Sequence, residues 1–515
     1  MHNNKNSKNL SAYLEELANY NLDYDYSNQE LDPEIEYVSA NSKDIKANTL
    51  FICKGNNFKR KYLVEAAKKG AVAYVAEKDY QLDIPFIKVK SVRKTQAVLA
   101  ALFYDHPEQK INLIGVTATK GKSSTVNLIF AILKAKLNAE GLEDPALVSS
   151  YRNYNGKEQS KAHMTTPEPL ELYKLLSEAV ENKAKWAVLE VSSQALKYER
   201  VFGLDFTYGA FINIAPDHIS DIEHPTFKDY LDSKLLIFKH SKTAVVNLGT
   251  DCLEAVLVAA KTTENLITVS RDASNEQADY AILNYDLSLE SLSFSFKNMY
   301  EGYVFKTKVM GTYYLDNILI AAAIAHDLGI AAKYIQAGLE KFQAKDRSVL
   351  LSTLNEDIII FIDPAHNGLS FEASFNFIEE LFPDYRKVAV FGAVGNKAKN
   401  RRKTMAQACN QYIDQVILTR DDNAKESLSK INQEVSKYLN PSKLSYESIN
   451  SRGKAIEYAC KQAKDLYKDK RVKTCLLILG KGNDKYMLTK NGREKYLGDA
   501  YYVKKSFAKD LKRLY

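Results

Sequence analysis

The sequence has few cysteines, and they do not form the patterns that cysteine chemistry requires. The 515 residues include five, Cys53, Cys252, Cys409, Cys460 and Cys475, and no two are close enough for a CxxC pair. This spacing excludes a zinc knuckle and a dense disulfide framework. Several of the five lie in apolar runs, so we expect them to be small core residues.

Long apolar segments and a strong charge excess are also missing. No apolar run approaches the roughly 18 residues needed to span a bilayer. The polar start "MHNNKNSKNL" lacks the apolar segment of a signal peptide. We therefore expect a cytoplasmic protein with no membrane partner. The 71 basic and 64 acidic residues give a net charge of +7, which does not imply nucleic acid and suits anionic small molecules.

The chain is too long for one core, and we find no internal repeats or low-complexity linkers. The sequence predicts an α/β protein of three domains, at 1–109, 110–345 and 346–515. The third domain contains four strand-like runs separated by helical segments, "IIIFID", "VAVFGA", "QVILT" and "CLLILG". Such alternation predicts a parallel sheet. The stretch from about 250 to 300 is richer in strands and turns, and we expect an antiparallel addition there.

Polar residues follow many of the predicted strands. In parallel α/β sheets, ligands bind beyond the carboxyl ends of the strands. The apolar runs here end at acidic or glycine-containing positions, among them Glu190, Asp217, His218, Asp363, Asp421, Asp422, Gly480 and Gly482. A ligand cleft between two α/β domains is the simplest inference.

The segment "GVTATKGKSSTVNLIFAIL", residues 115–133, has the form of a phosphate-binding loop between a strand and a helix. Gly121 brings backbone N–H groups close to phosphate, Lys122 can reach the β- and γ-phosphates, and Ser123 can bind Mg²⁺. A strict P-loop has glycine six residues before its lysine, where this chain has Val116. Taken alone, the segment is also compatible with an ordinary connection between a strand and a helix.

Two acidic strand ends are ambiguous in isolation. A carboxylate such as Glu190, close to a phosphate loop, is a plausible Mg²⁺ ligand, but it could equally be a solvated residue. Asp217 could simply cap a turn before His218.

Seven further strings resemble the Mur ligase family, the ATP-dependent amide-forming enzymes of peptidoglycan synthesis. They occur in the order typical of the family: "TLFICKGNNFKRKYL", "MTTPE", "LEVSSQAL", "FINIAPDHI", "YLDSKLLIF", "IDPAHN" and "LGKGNDKY". The family's phosphate loop reads G-T-x-G-K-[ST] instead of the strict P-loop. The resemblance implies a UDP-binding domain, a central P-loop-type ATPase domain with a parallel sheet, and a Rossmann-like C-terminal domain. It is strongest to the members that form the UDP-N-acetylmuramoyl tripeptide.

The resemblance also implies cofactors and site residues. ATP would phosphorylate a substrate carboxylate, and an amine would then displace phosphate. The implied ATP-binding residues are Thr119, Lys120, Gly121, Lys122, Ser123, Ser124, Asn317, Arg347 and Asp363. The implied Mg²⁺ ligands are Ser123, Glu190, His218 and a carbamylated Lys234. Lys122, His218 and Lys234 would serve catalysis.

The implied substrates are a UDP-N-acetylmuramoyl dipeptide and a free amino acid, bound by a monomer. The first would contact Ser42, Lys54, Gly55, Thr165, Thr166, Ser192 and Arg200. The second would contact Asp421, Asp422, Gly482 and Asp484.

We expect the amino acid to be L-lysine. Family members that use diaminopimelate carry D-N-P-R, whose Arg pairs with a distal carboxylate. This chain reads Asp421-Asp422-Asn423-Ala424-Lys425 and has no Arg there. Lys425 could itself meet a carboxylate, and the two aspartates could only cap the next helix.

Several positions depart from the family pattern, including Ala118 for a loop glycine, Tyr314 for an adenine-motif asparagine and Pro364 for a tyrosine. They leave two alternatives open. The first is a catalytically weakened paralogue that binds a nucleotide sugar. The second is another Mur-type ligase that uses a different amino acid or folate, although "MTTPE" and the UDP-domain string argue against folate.

Overall fold

The computed structural model describes residues 7–27, 30–55, 57–217, 219–220, 223–309, 311–342, 348–396, 398–482, 484–508 and 510–514. Three mixed sheets follow one another along the chain, which confirms the α/β prediction. None of the described helices combines the length and apolar character needed to cross a bilayer.

The first sheet has five strands in the order β2-β7-β6-β5-β4, of which all but β2 run parallel. The elements are β1 Lys8–Asn9, α1 Leu10–Asn19, β2 Tyr24–Tyr26, β3 Glu34–Ile35, β4 Tyr37–Ser39, β5 Thr49–Ile52, α2 Arg60–Lys69, β6 Ala71–Ala76, β7 Phe86–Val89 and α3 Val92–Phe103. β1 and β3 form a separate short ladder. The predicted strands "TLFI" and "AVAYVA" are almost entirely buried, as expected for a sheet covered on both faces.

The central sheet has eleven strands in the order β11-β10-β9-β12-β8-β13-β14-β15-β16-β17-β18. The elements are β8 Asn112–Thr117, α4 Lys122–Ala139, β9 Ala146–Val148, β10 Arg152–Tyr154, β11 Gln159–Lys161, α5 Pro169–Glu181, β12 Trp186–Glu190, α6 Ser193–Lys197, β13 Phe206–Phe211, α7 Phe227–Leu235, β14 Ser241–Asn247, α8 Leu253–Ala260, β15 Asn265–Ser270, β16 Tyr280–Leu287, β17 Leu292–Lys297, β18 Phe305–Thr307, α9 Tyr314–Asp327 and α10 Ala332–Lys341. From β9 to β16 in this spatial order, each strand runs parallel to the next one. The expected antiparallel addition begins at β17, since β16 still runs parallel to β15.

The third sheet has the order β23-β22-β21-β24-β20-β19-β27. The elements are β19 Val349–Ser352, β20 Ile358–Asp363, α11 Gly368–Leu381, β21 Arg386–Phe391, α12 Asn400–Tyr412, β22 Gln415–Leu418, α13 Leu428–Ser436, β23 Ser445–Ser448, α14 Arg452–Lys470, β24 Thr474–Leu479, β25 Tyr486–Thr489, β26 Gly492–Lys495, α15 Asp499–Phe507 and β27 Lys512–Arg513. The four strands predicted from apolar runs are β20, β21, β22 and β24, and they are parallel. β25 and β26 form a separate hairpin.

Apolar packing on both faces fixes the central and third sheets. Helix α4 buries Val126, Ile129, Phe130, Leu133 and Leu137 in the apolar cluster on one face of the central sheet, and Leu128 and Ile132 on its other side are buried in the same cluster. A second cluster covers the opposite face. Two clusters enclose the third sheet in the same way. Because both sheets are covered on both faces, their polar strand ends are the places where ligand chemistry can be exposed.

Candidate active site

Strand β8 lies at the centre of the central sheet, between β12 and β13. In the register of these strands, Glu190 pairs with Val116, and Phe211 pairs with Thr117. The carboxyl ends of the three strands therefore meet at one edge. The phosphate loop, Glu190 and the segment after β13 share that edge, as the sequence predicts.

Gly121 closes the phosphate loop in a backbone conformation that requires glycine. Its φ is +91°, and a Cβ there would lie 2.3 Å from Oδ1 of Asn317. The same Asn317 oxygen accepts a hydrogen bond from Thr125 Oγ1 at 3.2 Å. Helix α9 thus brings the predicted adenine-side residue Asn317 against the predicted phosphate loop.

Two lysine ammonium groups meet at one carbonyl oxygen of this loop. Lys122 Nζ and Lys234 Nζ each donate to Ala118 O, both at 2.8 Å. Lys234 is only 1% exposed. Burial, and after it the nearby Lys122, hold the pKa of Lys234 well below its usual value. Burial and the neighbouring amine therefore both favour the neutral form of Lys234.

Lys122 is half-buried and does not extend from the loop into solvent. Lys122 is the first residue of α4, and its side chain folds back over the loop to contact Ala118 and Thr119 carbonyl oxygens. Burial lowers the pKa of its amine, while Glu190 opposes this effect. Its position at a helix N-terminus still aims it at the place where phosphate would bind.

Glu190 is fully buried and is held by Ser150, a residue that the sequence did not single out. Ser150 N donates to one carboxylate oxygen at 2.8 Å, and Ser150 Oγ donates to the other at 3.0 Å. The Ser150 hydroxyl also donates to the predicted substrate contact Thr165 at 3.1 Å. Thr166 Oγ1 donates to the Glu190 carbonyl at 2.8 Å and accepts from Ser192 N at 3.1 Å. The predicted residues Thr165, Thr166 and Ser192 are therefore packed together around Glu190.

Predicted substrate residues from two sheets converge on Glu168. Lys54, which follows β5, forms an ion pair with Glu168, and Arg200 Nε lies 2.9 Å from the same carboxylate. Burial alone would raise the pKa of Glu168, but Lys54 and Arg200 together hold it below its usual value. Gly55 follows Lys54 directly. Ser42 lies farther along the first sheet, where its hydroxyl donates to Glu65 at 3.0 Å.

A cavity of about 580 Å³ opens between the central and third sheets. Its lining includes the predicted ATP-binding residues Lys120, Gly121, Ser124, Asn317 and Asp363. Burial raises the pKa of Asp363, whose carboxylate accepts hydrogen bonds from Ser348 Oγ and from Ala365 N. A cavity of this size and mixed lining suits a nucleotide.

The remaining predicted residues of the loop lie beside this cavity. Ser123 is the second residue of α4 and is half-buried. The Thr119 hydroxyl lies 3.1 Å from the Tyr230 hydroxyl and accepts from Ala215 N at 3.1 Å. Two predicted residues, His218 and Arg347, lie outside the described residues.

Asp217 connects the central sheet to the third domain's helices. Arg401 Nη2 donates to its Oδ1 at 2.5 Å, and Asn367 Nδ2 donates to its Oδ2 at 3.4 Å. Lys120 Nζ lies 3.8 Å from Oδ2. Burial lowers the pKa of Lys120 to about 8, and Asp217 opposes the shift. The sequence did not predict a role for Arg401, because its partner lies 184 residues away.

The predicted amino-acid residues lie at the carboxyl ends of β22 and β24. Asp421 is buried, and burial raises its pKa. Asp422 accepts a hydrogen bond from Lys481 Nζ at 2.9 Å, and the same ammonium lies 3.5 Å from Asp484. The acidic side chains expected here are therefore accompanied by a buried cation, Lys481, that the sequence did not single out. Gly482 packs against Pro364.

The three departures from the family pattern have clear structural positions. Ala118 is fully buried and belongs to the hydrophobic core, so its methyl group is not exposed in the phosphate loop. Tyr314 begins α9, and both Tyr314 and Pro364 line the cavity.

A buried Ser-His-Asp arrangement also occurs beside the site. His224 Nδ1 lies 2.6 Å from Asp229, and its Nε2 lies 2.9 Å from Ser193 Oγ. His224 has no exposed surface and Ser193 is buried, so this serine is not accessible to a substrate. The contacts instead join α6 to α7, the helix that carries Lys234.

Among the described residues, no group of three or more His, Cys, Asp or Glu side chains could hold a metal ion. The implied Mg²⁺ set does not require such a group, because it combines Ser123 and a modified Lys234 with Glu190 and His218. Glu190 fits a hard cation, because the two hydrogen bonds shown to its carboxylate oxygens both come from the neutral Ser150.

A glycine-closed phosphate loop, buried lysine amines and a cavity at the carboxyl ends of parallel strands are typical of ATP-using enzymes of the α/β class. Family models agree with this class: the Mur ligase middle domain matches residues 116–325, and the Mur ligase glutamate ligase domain matches residues 347–482. The chain is 33% identical over 503 residues to the UDP-N-acetylmuramoyl-L-alanyl-D-glutamate--L-lysine ligase of Streptococcus mutans serotype c, covering 97% of each chain. It is 34% identical to the ligase of the same name from Streptococcus agalactiae serotype V, covering 91% of each.

The chain therefore belongs to the Mur ligase family of ATP-dependent, ADP-forming amide ligases. Solved structures support the fold. A UDP-N-acetylmuramoyl-L-alanyl-D-glutamate--2,6-diaminopimelate ligase superposes with a TM-score of 0.64 at 21% identity, covering 92% of this chain and 94% of that one. MurF from Acinetobacter baumannii gives 0.61 at 16% identity, covering 91% and 95%. These neighbours confirm the α/β fold over more than nine-tenths of the chain.

Proposed function

We propose that this protein joins L-lysine to UDP-N-acetylmuramoyl-L-alanyl-D-glutamate and converts ATP to ADP and phosphate. One observation carries the proposal: the buried amines of Lys122 and Lys234 meet at the Ala118 carbonyl, on the same sheet edge as Glu190. Such a site stabilises the negative charge of a transferring phosphoryl group.

The proposed reaction has two steps. A carboxylate oxygen of the dipeptide attacks the γ-phosphorus of ATP, the bond to ADP breaks, and an acyl phosphate forms. The amine nitrogen of the amino acid then attacks the acyl carbon, phosphate leaves, and the amine loses a proton. In both steps the protein mainly positions the reactants and neutralises charge.

Lys122 would hold the β- and γ-phosphates, and Thr119, Lys120, Gly121 and Ser124 would form the rest of the loop's phosphate contacts. Asn317, Asp363 and Arg347 would contact the rest of the nucleotide. Members of the family use ATP with Mg²⁺. When bound, Mg²⁺ neutralises phosphate charge, and Ser123, Glu190, His218 and Lys234 would hold it.

We infer that Lys234 is carbamylated in the active enzyme. The neutral amine attacks CO₂, a C–N bond forms, one proton is released, and the neutral amine becomes a carbamate anion. The lowered pKa of Lys234 supports this step, because only the neutral amine reacts. The change also replaces repulsion between Lys122 and Lys234 with attraction.

The dipeptide nucleotide would extend from Ser42, Lys54 and Gly55 in the first domain to Thr165, Thr166, Ser192 and Arg200 in the second. The convergence of Lys54 and Arg200 on Glu168 supports a path that crosses this boundary. Their cationic groups suit the pyrophosphate of a nucleotide sugar.

The amino acid would enter near Asp421, Asp422, Gly482 and Asp484. Three carboxylates against the single ammonium of Lys481 favour a substrate with a distal cation. Ala424 stands where a diaminopimelate-specific arginine would be expected, which favours lysine. The similarity to lysine-adding relatives over 97% of the chain supports the same choice.

We further propose domain boundaries after residues 109 and 345, a monomeric enzyme and a cytoplasmic location. The three sheets, which begin and end within these ranges, support the boundaries. The proposed substrates, ATP and a UDP-sugar, are cytoplasmic metabolites.

A catalytically weakened paralogue is the alternative, favoured by Tyr314 and Pro364 in the cavity lining. A measurement of phosphate release distinguishes the ligase from the weakened paralogue. Purified protein is expected to release phosphate only when ATP, Mg²⁺, the UDP-dipeptide and lysine are all present. Binding of the UDP-dipeptide without phosphate release in the full mixture would instead support the paralogue.

A further inference from the structure

Asp422 is tied to the protein by several contacts. Its Oδ1 accepts hydrogen bonds from Lys481 Nζ at 2.9 Å and from Leu488 N at 2.8 Å. Leu488 also accepts from Ala424 N at 3.0 Å. The turn at residues 421–424 is therefore joined to β25, the first strand of the separate hairpin.

The opposite side of the 421–424 turn packs closely against the loop after β21. Gly395 N donates to the Asp422 carbonyl at 2.9 Å. A Cβ at Gly395 would lie 2.0 Å from the Asn423 carbonyl oxygen. The turn is thus confined between this loop and the hairpin.

Lys481 is the central contact of this arrangement. Its side chain is only 4% exposed, and its ammonium lies between Asp422 at 2.9 Å and Asp484 at 3.5 Å. A buried ammonium requires such partners. Both hydrogen bonds to Asp422 fall on Oδ1, so this one oxygen joins Lys481 to β25.

We propose that Lys481 is a positioning residue that fixes the 421–424 turn through Asp422, so that Asp422 anchors this turn. The inference rests on the proposed function for its setting at the amino-acid site.

The first test compares Lys481→Met with Lys485→Met. Lys485 lies in the same segment, but its ammonium donates to the Leu497 carbonyl at 2.8 Å. Lys481→Met is expected to raise KM for lysine at least about tenfold, with kcat changed by less than about threefold. Lys485→Met is expected to keep both values. An unchanged KM in Lys481→Met would overturn the proposal.

A double-mutant cycle tests whether Lys481 acts through Asp422. Because both changes break the same link, Lys481→Met with Asp422→Asn is expected to raise KM no more than the larger single effect. Independent effects that multiply would contradict a shared link. If Lys481→Met does not fold, KM of Asp422→Asn decides: a rise of about tenfold supports the anchor, and no change overturns it.

A readout without activity separates this inference from the proposed function. In amide hydrogen exchange, Ala424 is expected to exchange faster in Lys481→Met, or in Asp422→Asn if the former does not fold, than in Lys485→Met. Equal exchange would contradict the anchor even in an active enzyme. Wild-type protein that lacks lysine-dependent turnover would contradict the proposed function. The exchange rate of Ala424 would still test whether Lys481 and Asp422 hold the 421–424 turn.

Discussion

Lys122→Ala is expected to abolish ATP-dependent ligation, with a rate loss of at least about a thousandfold. Lys122 supplies the positive charge that the loop directs at the β- and γ-phosphates. The fold should survive, because Lys234 still donates to Ala118, and removing Lys122 relieves repulsion between two buried amines. The measurement is the initial rate of phosphate release with all substrates present.

Lys136→Ala is a matched control for this change. Lys136 lies on the same helix and pairs with Glu140 at the surface. Its replacement is expected to leave the rate unchanged, because exposed ion pairs of this kind contribute little. A Lys122→Ala enzyme that ligates at the wild-type rate would show that the ATP-site assignment is wrong.

Lys234→Ala is expected to be nearly inactive, with a rate loss of at least about a hundredfold. The variant loses both the buried amine and the anion that we propose it becomes. Short carboxylic acids added to the assay should partly restore the rate, because they can occupy the space of the lost carbamate. Lys228→Ala, on the same helix and exposed, is the control and should remain active.

Labelled CO₂ gives a second readout for this residue. Wild-type protein equilibrated with ¹³CO₂ is expected to show a carbamate carbon signal that Lys234→Ala lacks. Full activity of Lys234→Ala, or identical spectra from both proteins, would contradict the carbamate.

Local patterns predicted the parts of the site that depend on single strands and helices. The apolar run before Thr117 and the helical pattern after the loop predicted a loop between a strand and a helix, and β8 and α4 flank that loop in the structure. The runs "WAVLE" and "IIIFID" likewise placed Glu190 and Asp363 at strand ends. These features follow from periodicity and from the rule that ligands bind at the carboxyl ends of parallel strands.

Contacts between distant segments were not readable from the sequence. Ser150 reaches Glu190 across 40 residues, Lys481 reaches Asp422 across 59, and Arg401 reaches Asp217 across 184. No local pattern encodes such pairs, because they depend on which strands are neighbours in the sheets and on how the domains meet.

The directions in which side chains point could not be predicted from the sequence either. In the sequence, Ala118 stands where the family's phosphate loop has glycine, and the fold buries its methyl group in the core. The half-burial of Lys122 also depends on α4 beginning at that residue. For Ala118 and Lys122 alike, the residue type is known from the sequence, but the path of the chain after β8 determines how deeply each side chain is buried.

One competition experiment tests the proposed function most directly. The purified protein is supplied with ATP, Mg²⁺, UDP-N-acetylmuramoyl-L-alanyl-D-glutamate and equal amounts of L-lysine and meso-diaminopimelate, and the product masses are recorded. The acidic surroundings of Asp421 and Asp484 and the absence of an arginine at Ala424 predict the lysine-containing tripeptide as the main product. Preferential incorporation of diaminopimelate would contradict the lysine assignment, and the absence of any tripeptide would contradict the ligase function.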